Sequence, residues 1–329
     1  MHCIVPFAAP ASEAGRAALA AMPWARLEAS LARLTQVERD DGEPTTFTPP
    51  HERVLARVHG WQGGDGRFPF AAQAARADGV DAGDRNDSAW GFLSPVHWRV
   101  GSDHVNLVDP DTLALDEATS RALFAAVQPL VESAFEGRGA RLVYGRPTRW
   151  YVAHESLAAL RTASLDRVAG RNVDPWLGVG SGSGVDGDDD AAQLRPWRRL
   201  QAEVQMLLHT HPLNAEREAT GALPVNSFWL SGCGRAQADA APRPVRIDTT
   251  LRAAALAEDW PAWAAAWRRL EEGVLRDFEE ALGRGNDVAL TLAGERAAVT
   301  FAPRSRGVLA RLQSVFGART SVPALLASL

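Results

Sequence analysis

Between His211 and Gly234 the chain reads HPLNAEREATGALPVNSFWLSGCG, and no other stretch constrains the fold as much. Asn214, Arg217, Gly221, Pro224, Asn226, Trp229, Gly232 and Gly234 recur there at intervals that no amphipathic period demands. Asn214 is expected to cap a short helix, because its side chain can accept from the free N–H groups of a first turn. Gly221 suits the left-handed residue that ends such a helix. Residues 225–231 then read as a strand. Alternation puts Asn226 on the face of Phe228 and Leu230, and Trp229 on the face of Ser227 and Ser231. Gly232 and Gly234 close the strand where a backbone or a ligand could come near. An amide on an apolar strand face is costly unless it finds partners. Arg217 and Asn226 are therefore members of a buried network or contacts to a ligand, and the residues alone leave both readings open.

The rest of the chain alternates strand and helix signals. A strand near 2–6 leads to helices over 13–22 and 25–36. Thr48-Pro49-Pro50 opens another helix that runs to Gly60, with proline in its first turn. Residues 62–87 are rich in Gly and Asp and read as a long loop holding one short helix. Strands over 96–100 and 104–108 flank a hairpin turn at 101–103. Asp116 caps a helix in which Leu123, Phe124, Val127, Leu130, Val131 and Phe135 share a helical period, with Pro129 expected to kink it.

Strands over 141–144 and 148–153 follow, and then GVGSGSGVDGDDD at 178–190, too polar and glycine-rich to bury. The latter is expected to be a flexible loop spanning 178–192. Its glycines follow no strand and carry no Lys, which argues against a phosphate loop. From Arg195 a helix carries Trp197, Leu200, Val204, Leu207 and Leu208 inward. Arg195, Arg198 and Arg199 cluster on it and are expected to form a solvated face. His209 and His211, two residues apart, point in different directions on a helix and suit backbone pairing better than metal chelation.

After Gly234 a strand near 245–248 precedes a long helix capped by Asp259, with Pro261 near its start and Gly283 just past its end. Its stripe of Trp260, Trp263, Trp267, Leu270 and Val274 reads as core. A hairpin over 288–292 and 297–301 and two amphipathic helices finish the chain. The expected class is α/β or α+β, a mixed sheet with flanking helices.

Composition sets bounds on function. At 329 residues, 46% hydrophobic and 23% charged, the chain is long enough for one large or two smaller globular domains. It contains no Lys, which excludes Schiff-base chemistry and the Lys of a phosphate-binding loop. A net charge of −5 offers no broad attraction to nucleic acid. The two cysteines, Cys3 and Cys233, match no metal-ligand spacing, and a reducing cytoplasm is the expected location. No basic residue precedes the short N-terminal apolar run as in a signal peptide. No stretch approaches the ~20 apolar residues of a membrane span.

The order Asn-x-x-Arg-x-x-x-Gly-x-x-Pro-x-Asn-x-x-Trp-Leu-x-Gly-x-Gly over 214–234 resembles a motif of the archaeal-type cofactor-independent phosphoglycerate mutases. There it belongs to a domain inserted into an alkaline-phosphatase-like metal core. The likeness continues through 97–99, Asn106 and Leu107, the helix after Asp116, YGRPTR at 144–149, LDRVAG at 165–170, and Leu200 to His211, and so spans roughly 95–234. Over its whole length the chain more closely resembles the RpfE-type regulatory proteins of proteobacteria.

The resemblance implies a mutase-insert-like domain at 95–234, between a segment at 1–94 and a segment at 235–329 that packs with it. In the resembled enzymes two divalent metals activate a Ser or Thr, with Asp and His ligands from both ends of the chain. Such a clamp needs carboxylates and imidazoles converging around ions about 4 Å apart. Here the eight histidines are His2, His51, His59, His97, His104, His154, His209 and His211, and none lies beyond His211. The first strand is followed by Pro6 and Phe7 where an Asp-Gly would be expected. An intact metal core, a metal site and a cofactor are therefore not expected. The expected function is regulatory or accessory and non-catalytic, with phosphoglycerate mutase activity or a protein-interaction scaffold as alternatives. Asn106, Arg146, Arg149, Asn214, Arg217, Asn226 and Trp229 are the candidate ligand-binding residues, since guanidinium forks recognise phosphate and carboxylate alike. The expected partner is a small phosphorylated or carboxylated metabolite, or a protein.

Overall fold

A computed structural model describes residues 1–80, 89–102, 104–135, 139–177, 185–240, 244–303 and 321–329, with backbone alone at 185–191. In chain order the elements begin with β1 (His2–Val5), α1 (Glu13–Ala21), α2 (Ala25–Ala32), β2 (Leu34–Asp41), α3 (Pro50–His59) and α4 (Phe70–Ala77). Next come β3 (Trp90–Val100), β4 (Val105–Val108), α5 (Glu117–Ser133), β5 (Arg141–Arg146), β6 (Arg149–Ala153) and α6 (Leu165–Val168). Then follow α7 (Val185–His209), α8 (Pro212–Ala219), β7 (Ser227–Gly234), β8 (Val245–Ile247), α9 (Arg252–Leu256) and α10 (Trp260–Leu270). After a π-helical turn at Glu271–Leu275 come α11 (Arg276–Gly283), β9 (Ala289–Ala293), β10 (Ala297–Pro303) and α12 (Val322–Ala327).

The chain divides into two compact units. One comprises Met1–Pro44, Pro49–Gly60 and Asp239–Leu329, and the other Thr45–Thr48 and Trp61–Ala238. The sequence boundary placed between 94 and 95 falls inside β3, the longest strand described. The class is a mixed α/β fold with two sheets and flanking helices.

The first unit is built on a sheet of order β2-β10-β9-β1-β8. Strand β1 runs parallel to both β8 and β9, and β10 is antiparallel to β9 and β2. Alternation assigns its two faces. Cys3, Val5, Leu290, Leu292, Val299 and Phe301 join the indoles of Trp24, Trp263 and Trp267 in the main core. Ile4, Ala293 and Ala298 meet Val54 of α3 on the other face. The tryptophan stripe is core as its spacing implied: Trp263 and Trp267 are fully buried and pack edge-to-face at 6.0 Å. The π turn holds both Val274 and Leu275 on the buried side, so the stripe continues to Phe278 and Leu282.

Residues 34–36, expected to end the helix from 25, instead begin β2. LTQVERDD is mostly polar because β2 is an edge strand, with much of its surface exposed. A half-solvated edge strand lacks the apolar run that marks a strand in sequence. Of the two C-terminal helices expected, the first falls in 304–320, outside the described residues, and the second is α12.

The second unit carries an antiparallel sheet of order β4-β3-β6-β5, with β7 on the other side of β3. One face, with Leu93, Leu142, Trp150, Val152 and Phe228, is covered by Leu123, Val127 and Val131 of α5 and Trp197, Leu200, Val204 and Leu208 of α7. The other face, with Trp90, Tyr151 and Ala153, is covered by the small side chains Ala71, Ala72 and Ala75 of α4. Asp116 accepts from the N–H of Thr119 and caps α5, as its position implied.

Of the loop expected at 178–192, residues 178–184 lie outside the described residues, and from Val185 onward the chain is helix α7. A polar composition opposes burial but not an exposed helix. An acidic run is favoured at a helix N-terminus by the helix dipole.

Candidate functional site

Asn214, Arg217 and Asn226 spend their hydrogen bonds on the chain itself. His211, and not Asn214, is the N-cap of α8: its Nδ1 accepts from the Leu213 N–H, and Pro212 occupies the first helical position. Asn214 therefore lies inside the helix, 4% exposed. It donates to the carbonyls of Leu208 (2.8 Å) and Val225 (2.7 Å), and its Oδ1 accepts from the Val225 N–H at 2.9 Å. Arg217, 8% exposed, donates from Nε to Leu223 O at 2.9 Å and from Nη2 to Leu113 O at 2.5 Å. Gly221 takes the left-handed position after α8 with φ +79°, as expected of the residue there.

Asn226 precedes β7 and does not sit on its apolar face. It accepts from the Trp98 N–H at 2.7 Å and donates to the Trp98 carbonyl at 2.9 Å, so its amide copies a strand neighbour and extends the pairing with β3. Gly232 sits at φ +64°, where a Cβ would lie 3.0 Å from Phe92 and 3.1 Å from the backbone of Ala71. That close approach is what the glycine permits.

The other candidates lie elsewhere in the same unit. Asn106 pairs in register with Arg99 on β3 and bridges Asn172. Arg146 and Arg149 face each other in register at the turn that joins β5 to β6, Arg146 exposed. Arg149 lies 3.5 Å from the Asp78 carboxylate and over the Phe92 ring at 5.4 Å. Tyr151 also donates to Asp78, and burial followed by that bond pushes its phenol up to about 12.

Trp229 borders a cavity. The cavity, about 60 Å³ in volume, lies between α7, β7 and the segment 161–163. Trp176, Trp197, Phe228 and Trp229 form aromatic walls, with Leu177, Leu194 and Leu230 between them. The three indoles are pinned. Trp176 donates to Thr46 O at 3.2 Å, Trp197 to Ser156 Oγ at 3.1 Å, and Trp229 to Ala163 O at 2.8 Å. Arg161, Arg198, Gln201 and Thr162 are the polar residues of the lining.

Arg161 is organised by Asp65, which it contacts at 2.7 Å, and it lies over the Phe47 ring at 3.9 Å. Burial by itself would raise the Asp65 pKa. The N–H groups of Phe47 and Thr48 and the Arg161 guanidinium outweigh it and hold the carboxyl below its usual 3.8. The same carboxylate ties Thr45–Thr48 into this unit, since it accepts from Phe47 at 3.0 Å and Thr48 at 2.8 Å. Arg198 donates to the Leu177 carbonyl.

The lining residues are scattered along the chain and share no motif. Arg198 was expected on a solvated face, yet it lines the cavity with its neighbour Trp197. The available signal was the spacing of Leu194, Arg198 and Gln201, which share one side of a helix.

Nucleophilic chemistry has little footing at the thiols. Burial pushes both Cys3 and Cys233 up to about 12, and the thiolate is the reactive form. Pro6 and Phe7 follow β1 and carry no ligating side-chain atom, and the His2 ring is bonded to Thr291 at 2.7 Å. Among the described residues, no helix is long and apolar enough to cross a membrane.

No family model matches the chain, and no curated protein matches it. Among solved structures it is similar to a cofactor-independent phosphoglycerate mutase from Thermoplasma acidophilum DSM 1728, at 14% identity over 99% of this chain and 98% of that one, with a TM-score of 0.33. It is also similar to the PH0037 protein from Pyrococcus horikoshii, at 11% identity over 92% and 86%, with a TM-score of 0.43. Likenesses this distant assign no role to any residue here.

Proposed function

We propose that the protein is a non-catalytic regulatory or accessory protein of the RpfE type that binds a small carboxylated or phosphorylated metabolite in the cavity of its second unit. The observation that carries this reading is a pinned aromatic cavity whose charged lining residues, Arg161 and Arg198, are both cationic. Guanidinium donors beside low-dielectric walls favour an anion that is otherwise apolar. Trp229 belongs to this site. Asn214, Arg217 and Asn226 support it from behind by fixing the start of β7. Arg146, Arg149 and Asn106 are outside the cavity lining. Two buried thiols without a disulfide suit a cytoplasmic setting.

A thermal-shift screen of phosphometabolites and carboxylates, run with and without divalent metal, tests the reading. A saturable, metal-independent rise in Tm that is weakened in Arg198→Ala is expected. Turnover of 3-phosphoglycerate abolished by chelator would overturn the non-catalytic assignment.

A further inference from the structure

We infer that the ligand is a single-ring aromatic monocarboxylate, its ring held among the indoles and its carboxylate met by Arg198. This inference rests on the reading above that the cavity is a ligand site.

Three features select that class. The first is the commitment of the wall. Each indole N–H already donates within the protein, so Trp176, Trp197 and Trp229 present a visitor only with ring faces and C–H edges. Fixed aromatic surfaces of this kind favour a flat apolar ring, in edge-to-face or offset packing. Because the walls are held before any ligand arrives, little ordering cost falls on binding.

The second is charge. Among the described residues, no carboxylate lines the cavity. Asp65 offsets the Arg161 charge, whereas the described partner of Arg198 is the neutral Leu177 carbonyl. One guanidinium fork with uncompensated charge matches one carboxylate. A phosphate dianion would leave charge unmet beside apolar walls. The Thr162 hydroxyl in the lining turns to the buried Cys233 thiol, which leaves the guanidinium of Arg198 as the main polar anchor for a ligand.

The third is size. One water needs about 10–15 Å³ on this measure and occupies about 30 Å³ of liquid, so the cavity holds roughly four to six waters, or about 120–180 Å³ of ligand. That volume takes one ring with its acid group.

The test is titration of the full-length protein with benzoate, 4-hydroxybenzoate and 3-phosphoglycerate, read by tryptophan fluorescence and by Tm. Saturable quenching by an aromatic acid is expected. It should weaken at least tenfold in Arg198→Ala and vanish in Leu194→Trp, which fills the cavity, while Leu194→Trp keeps a cooperative melt. Aromatic-acid binding that survives Leu194→Trp would place the ligand elsewhere and overturn the inference. Binding of 3-phosphoglycerate without either aromatic acid, lost in Leu194→Trp, would overturn the aromatic class and leave the metabolite reading standing. Binding of none of the three would overturn both.

Discussion

Two groups of polar side chains in the second unit look alike in sequence and do opposite things. Asn214, Arg217 and Asn226 turn inward and complete the hydrogen bonds of irregular backbone. Arg161 and Arg198 border open space with aromatic walls. A dense, irregular motif marks the first group because each member must match particular carbonyls and N–H groups nearby. The second group is scattered over 161–201, since a cavity asks only that its lining converge in space.

The comparison is broken most readily at Asn214. Asn214→Ala strands the Leu208 and Val225 carbonyls and the Val225 N–H in a buried place. Each such group costs about 1–3 kcal/mol, with partial relaxation, so a loss of about 3 kcal/mol in urea unfolding is expected. A loss under about 1 kcal/mol would mean that the motif is not structural and return Asn214 to the ligand candidates. Trp229→Phe is intermediate. It leaves the Ala163 carbonyl unpaired and should cost about 1–2 kcal/mol, while also weakening any ligand that uses the indole wall.

Asp65 sharpens the boundary between the groups, since it serves backbone and cavity together. Its folded-state pKa lies below the ordinary 3.8, so its contribution is present above that value and is lost as pH falls through the lower folded one. The Tm gap between wild type and Asp65→Asn should therefore narrow in acid as the pH falls below 3.8. A constant gap would show that the carboxylate charge plays no part. The smallest effect is expected at Arg198. Its described hydrogen bond goes to one carbonyl and it is half-buried, so Arg198→Ala should change stability by about 0.5 kcal/mol or less while weakening ligand binding at least tenfold. A large loss of stability would move Arg198 into the structural group.

Local signals were legible wherever one residue decides the outcome. Pro50, Asp116 and Asp259 begin their helices where the chain says they should, and Gly60 ends α3 in the left-handed region. Clean alternation revealed β9 and β10. Strand β2 escaped notice because an edge exposes alternate residues and needs no apolar run. Asn214 was mistaken for a cap because its chemistry suits one. The imidazole of His211 and the ring of Pro212 had already fixed the start of α8 upstream. The cavity was illegible for a different reason. Trp197 was read as core and Arg198 as solvent-facing, and only the tertiary arrangement shows a space between such neighbours.

The amide of Gln237 accepts from the Gln62 N–H and donates back to the Gln62 carbonyl, each at 2.7 Å. The point where the polypeptide enters the long 61–238 excursion and the point where it leaves are thus buttoned side by side. A fragment cut at those positions would carry its own clasp, as a transplantable module should. It would, however, lose the two amide donors at 47 and 48 that steady Asp65, so a faithful graft must bring that short peptide along.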